Sequence, residues 1–168
     1  MTQNPGAREM SELIRRATPA DEGVLVAFNT ALAWESEEKR LDAAVLRAGV
    51  RALLADPAKG FYTVAERAGE VVAQTMVTFE WSDWRNGWFW WIQSVYVRED
   101  VRHSGIFRSL FQHLKTEAEA DPTVIGLRLY VERDNSRAKS TYRALGMSET
   151  PYELLELYPL PHLPDHIG

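Results

Sequence analysis

The segment from Val95 to Leu110 constrains the fold of this chain more than any other segment does. It begins in a strand, Trp88 to Val97, that is apolar on both faces, which is typical of a central strand covered by helices on either side. A basic turn, Arg102 to Phe107, follows, and the next helix carries apolar residues at helical spacing along one side. The segment therefore predicts an α/β fold in which the central strand leads into a turn with free backbone amides.

Strand and helix patterns follow one another in the order strand, two helices, three strands, helix, strand, helix and strand. This order predicts a mixed α/β sheet with helices on both faces. The predicted strands are Leu13–Arg16, Phe61–Glu66, Val71–Trp81, Trp88–Val97, Val124–Val131 and Tyr152–Tyr158. The predicted helices begin at Thr18–Pro19, run from Asp42 to Leu54, follow the basic turn, and run from Asn135 to Leu145. Simple alternation places Tyr96 on the same face as Trp90, and Val95 on the same face as Trp91.

The 168-residue chain is long enough to form one domain with its own core. We predict a flexible N-terminal tail at residues 1–12, one domain at residues 13–158 and a C-terminal tail at residues 159–168. The formal net charge of −5 and the lack of a long basic run argue against nucleic acid as a partner. The absence of cysteine excludes disulfides and a cysteine nucleophile and fits a cytoplasmic protein. No secretory signal, membrane span or metal site is expected.

The basic turn has the chemistry of an anion site. The amides from His103 to Phe107 precede or open a helix and have no helical acceptors, while Gly105 lets a ligand come close to the backbone. Arg102 and Arg108 supply positive charge. The alternative is an ordinary strand-to-helix turn with solvated arginines. A nucleotide-hydrolase phosphate loop is disfavoured, because the second glycine followed by Lys-Ser or Lys-Thr is missing.

A second motif lies on the last predicted helix, from Asn135 to Met147. Together with the turn it resembles the GNAT superfamily of N-acetyltransferases. The turn matches the pattern Gln/Arg-x-x-Gly-x-Gly/Ala, and the second motif matches Asn-x-x-Ala-x-x-x-Tyr-x-x-x-Gly-Phe. Phe107 departs from the first pattern, which has Gly or Ala at that position. The resemblance covers about Leu13 to Tyr158 and implies a central splayed sheet of about six to seven strands with helices on both faces.

The resemblance implies acetyl-CoA as co-substrate. In such enzymes two parallel strands splay apart, and pantetheine lies in the gap and pairs with exposed backbone groups of the central strand. The diphosphate then lies on the amides of the basic turn. The implied cofactor-binding residues are Val95, Tyr96, Val97, Arg102, His103, Ser104, Gly105, Ile106, Phe107, Arg108, Asn135, Lys139 and Tyr142.

The resemblance also implies direct transfer of the acetyl group to an amine. Tyr142 is the candidate acid for the leaving thiolate, whereas on pattern alone it is a core tyrosine of its helix. A backbone amide near Val95 is the candidate oxyanion donor. Gln93 lies at or near the position where several relatives have a glutamate base; because glutamine cannot accept a proton at neutral pH, we expect it to hold a water. The alternatives are Ser94, nearby carbonyls, Glu80, or proton loss through a water chain to solvent.

The acceptor side has weaker signals. Glu35 lies between the first two helices, where this family often builds its acceptor pocket, and Trp84 and Trp91 belong to an aromatic hairpin. These residues predict a small-molecule amine as the acceptor; the alternatives are a solvated acidic loop, a core or a dimer surface. A homodimer is compatible with the family and with the aromatic hairpin. Two other functions remain open: a non-catalytic CoA-binding sensor or subunit, and a phosphate-binding protein of another kind.

Overall fold

A computed structural model of the chain describes residues 12–160. The strands are β1 (Glu12–Arg16), β2 (Phe61–Arg67), β3 (Glu70–Ser82), β4 (Gly87–Val97) and β5 (Val124–Leu129). The helices are α1 (Glu22–Glu37), α2 (Ala43–Ala55), α3 (Ile106–Ala120) and α4 (Ser136–Ala144). Two 3-10 turns, Pro19–Asp21 and Glu99–Val101, precede α1 and the basic turn. In the described part of the chain no helix is both long and apolar enough to cross a bilayer.

The five strands form one sheet in chain order, antiparallel except for the parallel pair β4 and β5. One face packs on α1 and α2, where Leu25 and Val50 meet Tyr62 and Val64 of β2. The other face packs on α3, whose buried residues are Ile106, Leu110, Phe111, Leu114 and Ala118. The predicted α/β sheet with helices on both faces is confirmed, with five strands in place of six to seven.

A β-bulge in β4 separates the two parallel strands. Met76 of β3 lies opposite Ser94 while Val77 lies opposite Ile92, so Gln93 is an extra residue in β4. β5 pairs with β4 only from Trp88 to Ile92, and residues 93–97 continue without β5. The sheet is therefore open between β4 and β5 beyond the bulge.

The bulge also changes which face each side chain occupies. Val95 packs with Trp90 on the α3 side, whereas the Tyr96 ring lies 4.9 Å from the Phe28 ring of α1. The alternation predicted from sequence is therefore wrong beyond Ile92, because one extra residue reverses the order of the following side chains.

The predicted strand from Tyr152 to Tyr158 is also wrong. The segment has no secondary structure, and its apolar side chains are exposed, with Leu155 at 90 %. Apolar periodicity forms a strand only where a sheet edge offers hydrogen bonds, and this segment pairs with no strand of the described sheet. Residues 1–11 and 161–168, which make up most of the two predicted tails, lie outside the described residues, and the domain boundaries stay predictions.

The start of α1 is fixed by a buried carboxylate. Asp21 is 7 % exposed and accepts two hydrogen bonds from the guanidinium of Arg15, at 2.8 and 2.9 Å. It also accepts the Thr18 amide at 2.7 Å. The Arg15 hydrogen bonds hold the pKa of Asp21 at about 2, below its ordinary value of 3.8. The carboxylate therefore joins β1 to the first turn of the helical layer.

Because its pKa is lower in the folded state, Asp21 stabilises the fold fully above about pH 4 and loses that contribution as the pH falls towards 2. We expect Asp21→Asn to lower the free energy of unfolding at pH 7 by about 2 kcal/mol, and by much less near pH 2. Chemical denaturation at both pH values measures this. Asp134→Asn is the control, because Asp134 is exposed and its carboxylate has no hydrogen bond or ion pair within the described residues; an Asp21→Asn deficit independent of pH contradicts the assignment.

Candidate functional site

The opening between β4 and β5 exposes backbone groups of β4. The Arg98 amide donates to the Val72 carbonyl at 2.9 Å, so Arg98 and Val72 form a hydrogen-bonded pair. Because pairing directions alternate along an antiparallel strand, Val97 and Val95 direct their amides and carbonyls away from β3, into the opening. The Val97 carbonyl accepts a hydrogen bond from Nε of Arg102, so within the described residues the Val95 amide and carbonyl and the Val97 amide are the groups left without a protein partner.

The basic turn below this opening has a tight backbone. His103 has φ of 63° and Gly105 has φ of 90°, both in the left-handed region. The first helical bond of α3 runs from the Ser109 amide to the Gly105 carbonyl, and within residues 12–160 no side chain caps the helix. The Ser104 hydroxyl donates to the Val101 carbonyl, and Ile106 is buried in the core. The amides that open α3 are therefore left for an anion.

Arg102 is already held by protein groups. Its Nε donates to the Val97 carbonyl at 2.9 Å, and its guanidinium pairs with Glu35 of α1 at 2.5 Å. The Tyr96 hydroxyl donates to the same carboxylate at 3.1 Å. The hydrogen bond to Glu35 raises the pKa of Arg102. We call Glu35, Tyr96, Arg102 and the Val97 carbonyl the clasp; it ties the end of α1 to the edge of the opening.

Other cations lie at the turn without an anionic partner. Within the described residues Arg108 is exposed and has no ion pair. The guanidinium of Arg137, in the first turn of α4, lies 3.4 Å from Nδ1 of His103. Sequence reasoning missed Arg137, and the signal available was its place two residues after Asn135. The turn thus combines free amides with unneutralised positive charge.

Tyr142 lies across the opening from β4. Its ring meets the Phe107 ring edge-on at 5.7 Å, and it shares a small cavity with Val95. Burial raises the pKa of Tyr142, so the phenol is protonated at neutral pH, as an acid must be. The Phe107 ring packs into the α3 core beside Phe111, which leaves its amide free at the helix start.

The two other predicted residues of α4 lie near its start. The Asn135 Oδ1 caps the helix by accepting the Ala138 amide at 2.9 Å. Lys139, one turn further on, is partly buried. The structure therefore has Asn135 as the N-cap of α4 and Lys139 and Tyr142 on that helix, and Tyr142 lines the cavity shared with Val95.

The candidate base and acceptor residues are more scattered. Gln93 is exposed at the bulge and donates to the Thr78 hydroxyl at 2.8 Å. The Glu80 carboxylate accepts from Arg128 at 2.6 Å and from the Trp91 indole, so both oxygens are engaged. Trp91 itself stacks on Tyr130, with ring centroids 4.4 Å apart.

Trp84 lies apart from the other predicted site residues. It is 86 % exposed in the hairpin before β4, at the opposite end of that strand from the bulge. The Glu35 carboxylate is paired with Arg102 in the clasp. Only Trp91, of the three predicted acceptor residues, lies on β4 itself.

A sequence profile described as the acetyltransferase (GNAT) family matches residues 12–147. The chain belongs to the GNAT family. The family assignment from the two sequence motifs is therefore confirmed. A mycothiol acetyltransferase of Corynebacterium aurimucosum is 31 % identical over 126 residues, which are 71 % of this chain and 40 % of that protein. The GNAT chain thus spans less than half the length of this relative.

Two solved acetyltransferase structures have a similar fold over most of this chain. The crystal structure of "a possible acetyltransferase from Clostridium difficile 630" has a TM-score of 0.85 and 48 % identity, over 89 % of this chain and 98 % of that one. An aminoglycoside N-acetyltransferase in complex with CoA has a TM-score of 0.73 and 13 % identity, over 93 % and 99 % of the chains. The second likeness concerns the fold alone.

The clasp is testable by removing its charge. We expect Glu35→Gln to cost at most about 1 kcal/mol of folding free energy, because both charged side chains are partly exposed. We also expect faster amide hydrogen exchange in residues 97–105, since the guanidinium no longer holds the turn. Mass-spectrometric exchange measures this. Glu22→Gln on the same helix, which loses pairs to Arg47 and Arg51, is the matched control; equal exchange in both variants contradicts the role.

Proposed function

We propose that this protein is an acetyl-CoA-dependent N-acetyltransferase that transfers the acetyl group directly to a primary amine of a small molecule. The observation that carries the proposal is the opening between β4 and β5. It has the backbone edge of Val95 and the Val97 amide on one side, Tyr142 on the other and the uncapped start of α3 nearby. A thioester with a diphosphate tail needs all three features.

The proposed cofactor site divides between backbone and side chains. The diphosphate lies on the amides from His103 to Phe107, with Arg108 and Arg137 adding charge. Pantetheine pairs with Val95 and Val97 and runs beside Asn135 and Lys139. Arg102, matched by Glu35, contributes by holding the end of β4 and the turn in place. The aminoglycoside acetyltransferase of the same fold was crystallised with CoA, which supports this choice of cofactor.

The proposed reaction forms a C–N bond and breaks a C–S bond. The neutral amine attacks the thioester carbonyl, and the oxygen gains negative charge against the Val95 amide. The sulfur leaves as a thiolate and takes the proton of Tyr142. The amine proton passes to a water held at Gln93 and then to solvent, since Gln93 itself cannot accept it. Glu80 is a poor base because Arg128 and Trp91 engage both of its oxygens.

The acceptor is proposed to be a small amine that approaches from the α1 side of the sheet. That side carries the bulge and Trp91 stacked on Tyr130. The carboxylates of Glu80 and Glu35 on that side are already paired with arginines, so the aromatic faces are the groups that suit a cationic amine. Trp84 takes part only if the acceptor extends to the hairpin. The homodimer and the cytoplasmic location stay predictions.

Tyr142→Phe removes only the hydroxyl that is proposed to protonate the thiolate. We expect kcat to fall about 100-fold, with the Kd for acetyl-CoA unchanged within about twofold because the ring still fills its place. Steady-state thiol release and calorimetric titration measure the two quantities. Tyr62→Phe is the matched control, since Tyr62 is also buried with a raised pKa but faces α1. A wild-type kcat in Tyr142→Phe removes the residue from this role.

A non-catalytic CoA-binding protein is the second candidate, favoured by the glutamine at the bulge. Incubation of the protein with acetyl-CoA and a panel of amines distinguishes the two functions. The panel contains polyamines, amino acids, aminoglycosides and peptide N-termini. We expect thiol release with at least one amine, and greater thermal stabilisation by CoA than by ATP. Stabilisation by CoA with no release across the panel supports the non-catalytic function. Equal stabilisation by both nucleotides points to a general phosphate-binding protein.

A further inference from the structure

The small cavity that Tyr142 shares with Val95 lies between the sheet and α3. Its free volume is about 10 Å³, about the space of one water molecule. Most of its wall is apolar. The lining residues are Thr75, Ile92, Val95, Phe107, Leu110, Phe111, Leu114 and Tyr142. Two of them, Thr75 and Tyr142, carry hydroxyls, and the cavity therefore brings one polar group of β3 near the proposed acid.

The Thr75 hydroxyl is buried and unpartnered. Thr75 is 1 % exposed, lies opposite Val95 in the sheet, and has no hydrogen-bond partner for Oγ1. Its neighbour on β2, Thr63, is equally buried, but the Thr63 hydroxyl accepts from Arg16 at 3.0 Å. Buried hydroxyls are normally satisfied because an unmade hydrogen bond costs free energy. Thr75 therefore lacks a partner that its neighbour has.

The occupant that satisfies this hydroxyl is polar. An acyl methyl group fits a space of this size but leaves Oγ1 without a hydrogen bond. A water fits the same space and needs two or more polar partners. Within residues 12–160 the Tyr142 hydroxyl also has no hydrogen-bond partner, and burial alone shifts its pKa. A water held between these two hydroxyl-bearing residues of the lining has the two partners that it needs.

We propose that Thr75 is a positioning residue for Tyr142 and holds one water that hydrogen-bonds to the Tyr142 hydroxyl. The inference rests on the proposed function, in which Tyr142 gives its proton to the thiolate. When that O–H bond breaks and the S–H bond forms, the water donates a hydrogen bond to the phenolate oxygen left behind. Thr75 orients the water, and no bond of Thr75 is made or broken.

Two conservative changes separate the hydroxyl of Thr75 from its shape. Thr75→Val keeps the shape and removes the hydroxyl; we expect kcat to fall about tenfold or more, with the Kd for acetyl-CoA unchanged. Thr75→Ser keeps the hydroxyl and should retain most of the activity. Thr63→Val and Thr63→Ser apply the same changes to the buried threonine outside the cavity. Activity is thiol release from acetyl-CoA with the most active amine of the panel, and melting temperatures confirm folding.

A double-mutant cycle tests whether Thr75 acts through Tyr142. We expect Thr75→Val to have no further effect on kcat in Tyr142→Phe, because the group that the water serves is gone. Independent losses that multiply contradict the inference, as does a Thr75→Val variant with wild-type kcat. If Thr75→Val has a wild-type kcat but Tyr142→Phe has a low one, the role of Thr75 is wrong and the proposed function stands. If Tyr142→Phe also has a wild-type kcat, Tyr142 is not the acid.

Discussion

The extra residue Gln93 in β4 determines where everything else in the site lies. A parallel pair of strands normally stays in register along its length. Here the bulge bends β4, and its pairing with β5 ends at Ile92. The backbone groups of Val95 and Val97 are then free of a neighbouring strand. A bulge leaves the ladder incomplete, and a buried incomplete ladder is stable only when some other group supplies the hydrogen bonds. Arg102 supplies one of these hydrogen bonds, at the Val97 carbonyl, and in the proposed function an extended ligand supplies the others.

The turn shows how charge is divided around that opening. Arginines that lie close together in one turn repel one another unless a carboxylate is near. An arginine that is already paired with a carboxylate attracts a diphosphate only weakly. The chain uses both kinds: Arg102 is paired with Glu35 and keeps the geometry, while Arg108 has no ion pair among the described residues. The backbone amides of the helix start do not depend on either residue. The groups proposed to bind the diphosphate are therefore different from the group that supports the turn, although both lie in one short segment.

The features predictable from sequence are those that local chemistry decides. Gly105 with a positive φ, Asn135 as a helix cap and Gly146 after α4 each follow from the conformational preference of one residue, and the structure has all three. The clasp was not predictable, because Glu35 and Arg102 are 67 residues apart. The bulge was not predictable for a related reason, because an extra residue is recognised only from the register of the partner strand. The predicted face of Tyr96 was wrong because it depended on that register.

The predicted final strand failed on a different ground. The alternation of Tyr152 to Tyr158 describes what the segment can do, whereas strand formation depends on an edge that accepts it. The α4 motif, by contrast, has both the pattern and the packing, because Leu145 and Met147 reach the α3 core. Pattern and partner must agree for a prediction from sequence to hold.

The reversal of faces at the bulge has a consequence for how this site works. Val95 directs its side chain to the α3 side, where Tyr142 and Thr75 lie, while Tyr96 directs its ring to α1. The backbone between the two is the edge against which the thioester is proposed to lie. In the proposed reaction the proton for the leaving sulfur comes from one side of the sheet, and the attacking amine comes from the other. Substitutions in α1 and α2 can change the acceptor without disturbing the acid, because the sheet itself separates the two.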